Sequence, residues 1–444
     1  MSDPLDTVQP VNESAIQHYR INRVRTLAAQ DDVAAVLLFD PINIRYANGS
    51  RNMQVWTMHN FCRYALILTS GPSVMFELAT GTHLLKNCET IDEVRTAWST
   101  DYFVTGYRTA EIASAWAREI SDLVNQHGGD NRRLAVDRLD VETALALDEA
   151  GLTLTDGKKV MEHARAIKSP EEIRAFRLSL STCEAAMREL KEQARPGMTE
   201  REALSVLLAG SIRRGGEYPE TRLMTSGPRT NPWFQETGDR VMEDGDFLSF
   251  DTDLIGPMGF YNDISRSWIV GDAKPTDEQN RLYAVSRAQL ETNISILAPG
   301  LSFLEYASKA YRLPDEYLAN RYADVGHGCG LGVEYPFLWY REDEKYGAYD
   351  GMFEENMVVC IESYVGAVGG REGVKLEQPV WISSSGPVVL SEFPLEDNLG
   401  GSFRPSPFTP AAFSRRSAAQ ARLRRSEPPR VRQIPPGQTQ PRQA

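Results

Sequence analysis

The run Phe-Leu-Ser-Phe-Asp-Thr-Asp (247–253) constrains this chain most, because it sets two carboxylates, Asp251 and Asp253, on an apolar strand. A strand carries side chains i and i+2 on one face, so both acids are expected to point the same way. The pattern breaks at Gly256-Pro257-Met258-Gly259 and resumes as Phe-Tyr-Asn-Asp-Ile-Ser-Arg-Ser-Trp. A hairpin of that form brings Asp263 back beside Asp253. Three carboxylates on one sheet repel each other and resist desolvation unless cations neutralise them. Three more donors follow: His327 in Gly-His-Gly-Cys-Gly, Glu362 at the end of Met-Val-Val-Cys-Ile-Glu, and Glu377 in Gly-Val-Lys-Leu-Glu-Gln-Pro-Val. Flanking glycines let backbone approach a ligand closely. Taken singly, each acid reads as a turn or surface residue. Together, five carboxylates and one imidazole are the makings of a dinuclear centre for Mn, Fe, Co or Zn rather than a thiolate zinc site.

A chain of 444 residues with 41% hydrophobic content predicts two domains with a sizeable core. No apolar run is long enough to cross a membrane, and Met-Ser-Asp-Pro-Leu-Asp-Thr lacks the apolar core of a signal segment. The five cysteines at 62, 88, 183, 329 and 360 are scattered and odd in number. They read as reduced buried thiols, hence a cytoplasmic protein. The net charge of −13 hides an asymmetry: residues 415–444 hold eight Arg and one Glu, leaving about −20 for the rest. Such an acidic body argues against a nucleic-acid partner, and the Arg- and Pro-rich tail is expected to be disordered.

The N-terminal half alternates short buried strands (33–39, 64–69, and Leu134-Ala-Val-Asp) with helical stretches at 12–30, 109–127 and 141–150. That pattern predicts a three-layer α/β domain. No glycine-rich phosphate or dinucleotide loop follows any of the strands. The C-terminal half carries a repeat. Arg195-Pro196-Gly197-Met198-Thr199 and Ala298-Pro299-Gly300-Leu301-Ser302 each follow a helical pattern (171–194 and 277–297), and each opens a helix with a Thr/Ser-x-x-Glu cap. A repeated unit of this kind is expected of a pseudo-twofold α+β domain.

The local words carry a resemblance. Ile167-Lys168-Ser169-Pro170-Glu171-Glu172-Ile173 and the order Asp, Asp, His, Glu, Glu are similar to the pita-bread superfamily of creatinase, prolidase, aminopeptidase P and methionine aminopeptidase. Within it, Phe250-Asp251-Thr252-Asp253-Leu254, Asp263-Ile264-Ser265-Arg266-Ser267-Trp268 and Ser226-Gly227-Pro228-Arg229-Thr230-Asn231-Pro232-Trp233-Phe234-Gln235 resemble the DddP-type dimethylsulfoniopropionate lyases. So do Phe39-Asp40-Pro41-Ile42-Asn43-Ile44-Arg45-Tyr46 and Asn52-Met53-Gln54-Val55-Trp56. The doubled Asp251 and Asp253 is a mark of that group. The resemblance spans residues 15–397. It implies a creatinase-like N-terminal α/β domain (15–165) and a pita-bread metal-binding domain (166–397), between a flexible N-terminus (1–14) and the tail (398–444).

The resemblance also implies two divalent ions held by Asp251, Asp253, Asp263, His327, Glu362 and Glu377, and a homodimer in which the N-terminal domain helps close the site. The lyases carry a proton-abstracting Asp six residues beyond the metal-binding His; here Val333 stands there. Glu334, next in line, becomes the candidate acid–base residue only if the loop slips by one position. The peptidases need further histidines, and Trp233, Phe234 and Glu334 occupy those regions. Aromatic walls suit a sulfonium or ammonium group through cation–π attraction. Trp56 and Tyr322 match substrate contacts of the lyases, Tyr322 is also a candidate catalytic residue, and Trp233 and Tyr261 are further candidate walls. Three readings follow: a lyase that cleaves a C–S bond of a small zwitterion to dimethyl sulfide and acrylate, an Xaa-Pro-type metallopeptidase acting on a peptide-like substrate, and a catalytically weak binding relative.

Overall fold

The structure is a computed structural model that describes residues 10–400. The sequence-based expectations for residues 1–9 and for the tail beyond Gly400 lie outside the described residues. Within the N-terminal stretch 1–14, a helix begins at Glu13, capped by the Asn12 side chain on Ala15 N–H. At the other end, Leu399 is buried among the C-terminal apolar residues.

The N-terminal domain is one mixed sheet of six strands, in the order Glu93–Thr96, Ser73–Glu77, Tyr64–Leu68, Ala35–Leu38, Arg133–Val136 and Thr153–Asp156. Its central strands are apolar on both faces because both are covered. Ala35 and Leu37 pack with Trp116 and Ile120 of the helix Thr109–His127. Val36 and Leu38 face the helices Glu13–Gln30 and Gly157–Ala166 on the other side. A strand buried on both faces loses its polar alternation, which is why the sequence shows continuous apolar runs there.

The C-terminal domain realises the repeat as matched hydrogen bonds. Gly197 N–H donates to Met242 O at 2.9 Å, and Gly300 N–H to Phe353 O at 2.8 Å. Met242 N–H returns to Met198 O, and Phe353 N–H to Leu301 O. Both glycines have left-handed backbone, φ +91° and +83°, a conformation that disfavours any side chain. Each unit then opens a capped helix, Glu200–Arg213 and Phe303–Lys309. Only the first has both arms of the capping box; Ser302 merely accepts from Glu305 N–H.

Each half also supplies a strand that runs into the site. Phe247–Asp251 pairs with Ser265–Ile269 and Met224–Ser226. Val358–Val365 pairs with Gly326–Cys329 and Val374–Ser383 in a five-stranded sheet. Asp251 follows Met242 by the same number of residues as Glu362 follows Phe353, so the pseudo-twofold relates these two acids. The sheets join where Lys375 N–H donates to Ser267 Oγ (3.1 Å) and Ser267 Oγ donates to Lys375 O (3.0 Å). The two domains share one apolar core and are tied by ion pairs, the buried Arg20 with Glu172 at 2.6 Å and Arg45 bidentate on the part-buried Glu217.

Candidate metal centre

Strand register assembles the donors. Glu362 stands directly across from Glu377, His327 across from Cys360, and Ser265 across from Asp251. His327 Nε2 lies 3.5 Å from Asp263 Oδ2, 3.6 Å from Glu362 Oε1 and 3.9 Å from Glu377 Oε1. Donor atoms of Asp251, Asp263 and Glu377 fall within 4.8 Å of one another, as do those of His327, Glu362 and Glu377. Glu377 is common to both groups, and Asp263 also joins the histidine side, its donor atom lying within 4.8 Å of those of His327 and Cys360.

Asp253 is placed differently. The strand stops at Asp251, and Asp253 takes left-handed backbone at φ +41°. The i, i+2 rule therefore does not hold across this bend. The hairpin register still sets Asp253 across from Asp263, since Leu254 pairs with Asn262 and Asp251 with Ser265. Its carboxylate accepts from the Tyr261 and Thr221 hydroxyls, outside the tight donor groups.

The glycines around His327 serve a purpose other than ligand approach. A Cβ on Gly328 would lie 2.2 Å from Tyr335 O, and one on Gly326 2.6 Å from Cys360 O. They let neighbouring strands close on the histidine.

Patterning did not single out three buried residues of this region. Lys375 is fully buried, and its ammonium donates to Asp251 Oδ2 (3.0 Å), Glu362 Oε2 (2.6 Å) and Ser265 Oγ (2.7 Å), with Glu377 Oε2 at 3.3 Å. It holds the outer oxygens of three acids. Asp251 Oδ1 and Glu377 Oε1 are left buried without a hydrogen-bond partner. An unmet buried carboxylate oxygen is costly, and a divalent ion between these oxygens and His327 would satisfy them, so the residues present fit the metal that the donor set implies. Asp324 is 3% exposed with Oδ1 unpartnered, and burial pushes its carboxyl up to about 7, with His327 acting against that rise. Cys360 places its sulfur with the Asp263 and His327 donors, but burial and the Cys329 thiol push its own thiol well up.

The electrostatics follow from burying several acids side by side. Burial, then Glu377 and Asp251, push Asp263 well above the usual carboxylate range. Burial and Glu362 do the same to Glu377. Burial and Asp251 raise Asp253 to about 7. For His327, burial opposes the charge, but Glu362 and Asp324 outweigh it and raise the imidazole.

The aromatic candidates separate. Tyr322 has the Lys375 ammonium 4.5 Å from its ring centroid and stacks on Phe234 at 5.2 Å. Trp233 is 5.8 Å from the same ammonium and packs on Tyr364. Tyr261 is buried, its hydroxyl spent on Asp253. Trp56 is not brought to the centre within one chain. It sits on the short helix Gln54–Thr57, edge-on to Phe103, in a surface cleft with Arg51, Leu84, Glu217 and Tyr218. Glu334 is not brought there either: it is buried against Lys168 Nζ (2.5 Å) and Arg165 Nε (3.4 Å). Val333, on the other side of that strand, is half exposed.

Comparison with known proteins agrees with this architecture. Residues 174–384 match the model of metallopeptidase family M24, and residues 20–167 that of the creatinase/prolidase N-terminal domain. The chain is 39% identical over 393 residues to dimethylsulfoniopropionate lyase DddP of Roseovarius nubinhibens, covering 87% of this chain and 88% of that one. It is 37% identical over 395 residues to the DddP of Roseobacter denitrificans, with the same coverage. Among solved structures, an Xaa-Pro dipeptidase from Bacillus anthracis superposes with a TM-score of 0.70 at 22% identity, over 86% of this chain and 99% of that one, a likeness of fold. With more than a third of its residues shared along nearly the whole length of the two lyases, the chain belongs to the DddP family, built on the creatinase and M24 metallopeptidase fold.

Proposed function

We propose that the protein is a dinuclear metal-dependent lyase that cleaves the C–S bond of dimethylsulfoniopropionate to give dimethyl sulfide and acrylate. The observation that carries this reading is the border of the centre. Where amide hydrolysis calls for histidines, this chain has Trp233, Phe234 and Glu334; Trp233 stands 5.8 Å from the Lys375 ammonium, and Phe234 stacks on Tyr322. The five histidines other than His327 all belong to the first 163 residues; His163, for example, packs on Tyr335. The likeness to two DddP lyases supports the same reading.

Two divalent ions, Fe, Mn, Zn or Co, held by Asp251, Asp253, Asp263, His327, Glu362 and Glu377, would polarise the substrate carboxylate when bound. The residues supply the rest. A carboxylate takes the proton from the carbon next to the substrate carboxylate. The electron pair left behind becomes the new C=C bond of acrylate. The C–S bond breaks with its electrons on sulfur, so the sulfonium leaves as neutral dimethyl sulfide. With Val333 in place of an acid and Glu334 bound by Lys168, our candidate acceptor is Asp324, buried beside the centre with one free oxygen. Burial and Glu362 keep the Tyr322 phenol protonated, which suits it to donate a hydrogen bond rather than act as base.

We assign the protein as a cytoplasmic homodimer. The five free thiols support the compartment, and no helix among the described residues is long and apolar enough to cross a membrane. Met53, Val55, Trp56, Tyr102, Phe103 and Tyr107 are exposed on the N-terminal domain, apolar area that a second copy would cover. Across such a dimer Trp56 can border the partner's site. The test is a headspace assay for dimethyl sulfide with an Xaa-Pro dipeptide assay in parallel. Sulfide release without dipeptide cleavage is expected. Dipeptide cleavage without sulfide would replace the lyase by a hydrolase, and neither product, with metal bound, would favour a binding relative.

A further inference from the structure

A methylated cation needs an aromatic face that no other cation already occupies. Tyr322 and Trp233 both lie within cation–π range of Lys375, at 4.5 and 5.8 Å. That ammonium is fixed, since Asp251, Glu362 and Ser265 accept from it. A second positive group on either ring would meet like charge. Tyr261 is 3% exposed.

Phe234 differs on each count. It is 58% exposed and has no cation over its own ring in the described structure. It stacks on Tyr322, ring centroids 5.2 Å apart and 24° between planes, so it neighbours the ring that the Lys375 ammonium approaches. It also holds left-handed backbone, φ +67°. For a bulky residue without glycine's freedom that conformation is strained, and such strain persists where the surroundings or the function demand it. A relaxed backbone would aim the ring elsewhere.

We propose that Phe234 is the specificity-determining face that receives the methylated cationic end, sulfonium or quaternary ammonium, of a small zwitterion whose carboxylate turns toward the metal centre. This rests on the lyase reading of the same site. Tyr322, with the Lys375 ammonium 4.5 Å from its ring centroid, stacks on Phe234 and links that ring to the Lys375 cluster.

The test uses the full-length, metal-loaded protein and two carboxylate probes of equal shape, read by calorimetry without turnover. One is 3-(trimethylammonio)propanoate; the other is its neutral tert-butyl isostere. The wild type is expected to prefer the cation. Phe234→Leu should lose roughly fivefold to thirtyfold of that preference, while Phe234→Trp keeps or increases it. Unchanged preference in Phe234→Leu overturns the assignment of Phe234 and leaves the lyase reading standing. Equal loss for both probes also overturns it, reducing the ring to a steric wall. A wild type that binds the two probes equally overturns the assignment and removes support from the lyase reading as well.

Discussion

Two buried charged regions in this protein lie close along the chain and are built on opposite plans. Around Glu334, two acids meet two bases: Lys168 and Arg165 bind Glu334, and Arg165 also binds Glu162 at 2.5 Å. That cluster balances itself. The centre at His327 has five carboxylates, Asp251, Asp253, Asp263, Glu362 and Glu377, against one fixed cation, Lys375. Fully ionised, those five acids and Lys375 sum to −4, which two divalent ions would neutralise, with Asp324 beside them a further acid. A closed network of buried charges fixes structure; a surplus of buried carboxylates marks a candidate cation site.

The largest effects should come from the open network. Asp263→Ala, which strikes both halves of the centre, is expected to remove bound metal and abolish turnover, as measured by elemental analysis and sulfide release. Full metal content in that variant would break the distinction between the two regions. Next comes the proton acceptor. Asp324→Asn should lower turnover by roughly a hundred- to ten-thousandfold, the usual worth of a positioned base, with metal content kept. Glu334→Gln should instead act on stability, because it leaves Lys168 buried with a weakened partner. Removing one member of a buried pair costs about 3–5 kcal/mol, seen as a lower Tm with turnover of the surviving folded protein near wild type. If Glu334→Gln were the inactivating change and Asp324→Asn were silent, the roles of the two carboxylates would be exchanged.

Lys375→Met sharpens the comparison further. In metal-free protein it removes the counter-charge of three buried acids, and a destabilisation of about 3–5 kcal/mol is expected by the same rule. Added divalent ions should recover most of that loss, whereas they should not rescue Glu334→Gln. Equal response of both variants to metal would contradict the division into closed and open networks.

The smallest effect is with pH. Asp253 near 7, and Asp263 and Glu377 raised above their ordinary range, mean that the metal-free folded state holds protons that the unfolded chain would release. Metal-free stability should therefore fall as pH rises from about 4 toward 7, the reverse of a salt-bridged carboxylate. Divalent binding must expel those protons, so affinity should weaken as pH drops below about 7 and calorimetry in different buffers should report proton release. No proton release at pH 7 would remove this part of the account.

Much of this was legible in the chain. Helices predicted at 109–127 and 12–30 occur at Thr109–His127 and Glu13–Gln30, because amphipathic patterning and caps are local signals. The Pro-Gly repeat foretold the matched halves. The tight donor groups include Asp251, Asp263, His327, Glu362 and Glu377, since strand pairing converts sequence order into proximity. Asp253 departed from its expected side because a single left-handed residue ends the strand, and no periodicity announces that. Lys375 stands at i−2 from Glu377 on one strand, so the same-face rule applied to Asp251 also places it in the centre. Asp324 lies outside any regular element, and only the packed structure gives it a place.

The most direct test is a metal titration of depleted protein with dimethyl sulfide and acrylate both measured. Equal amounts of the two products are expected, rising from nothing without metal to a plateau at about two divalent ions per chain. Sulfide release that is unaffected by removing metal, or no sulfide at any metal ratio, would contradict the claim that this uncompensated cluster is the active centre of a lyase.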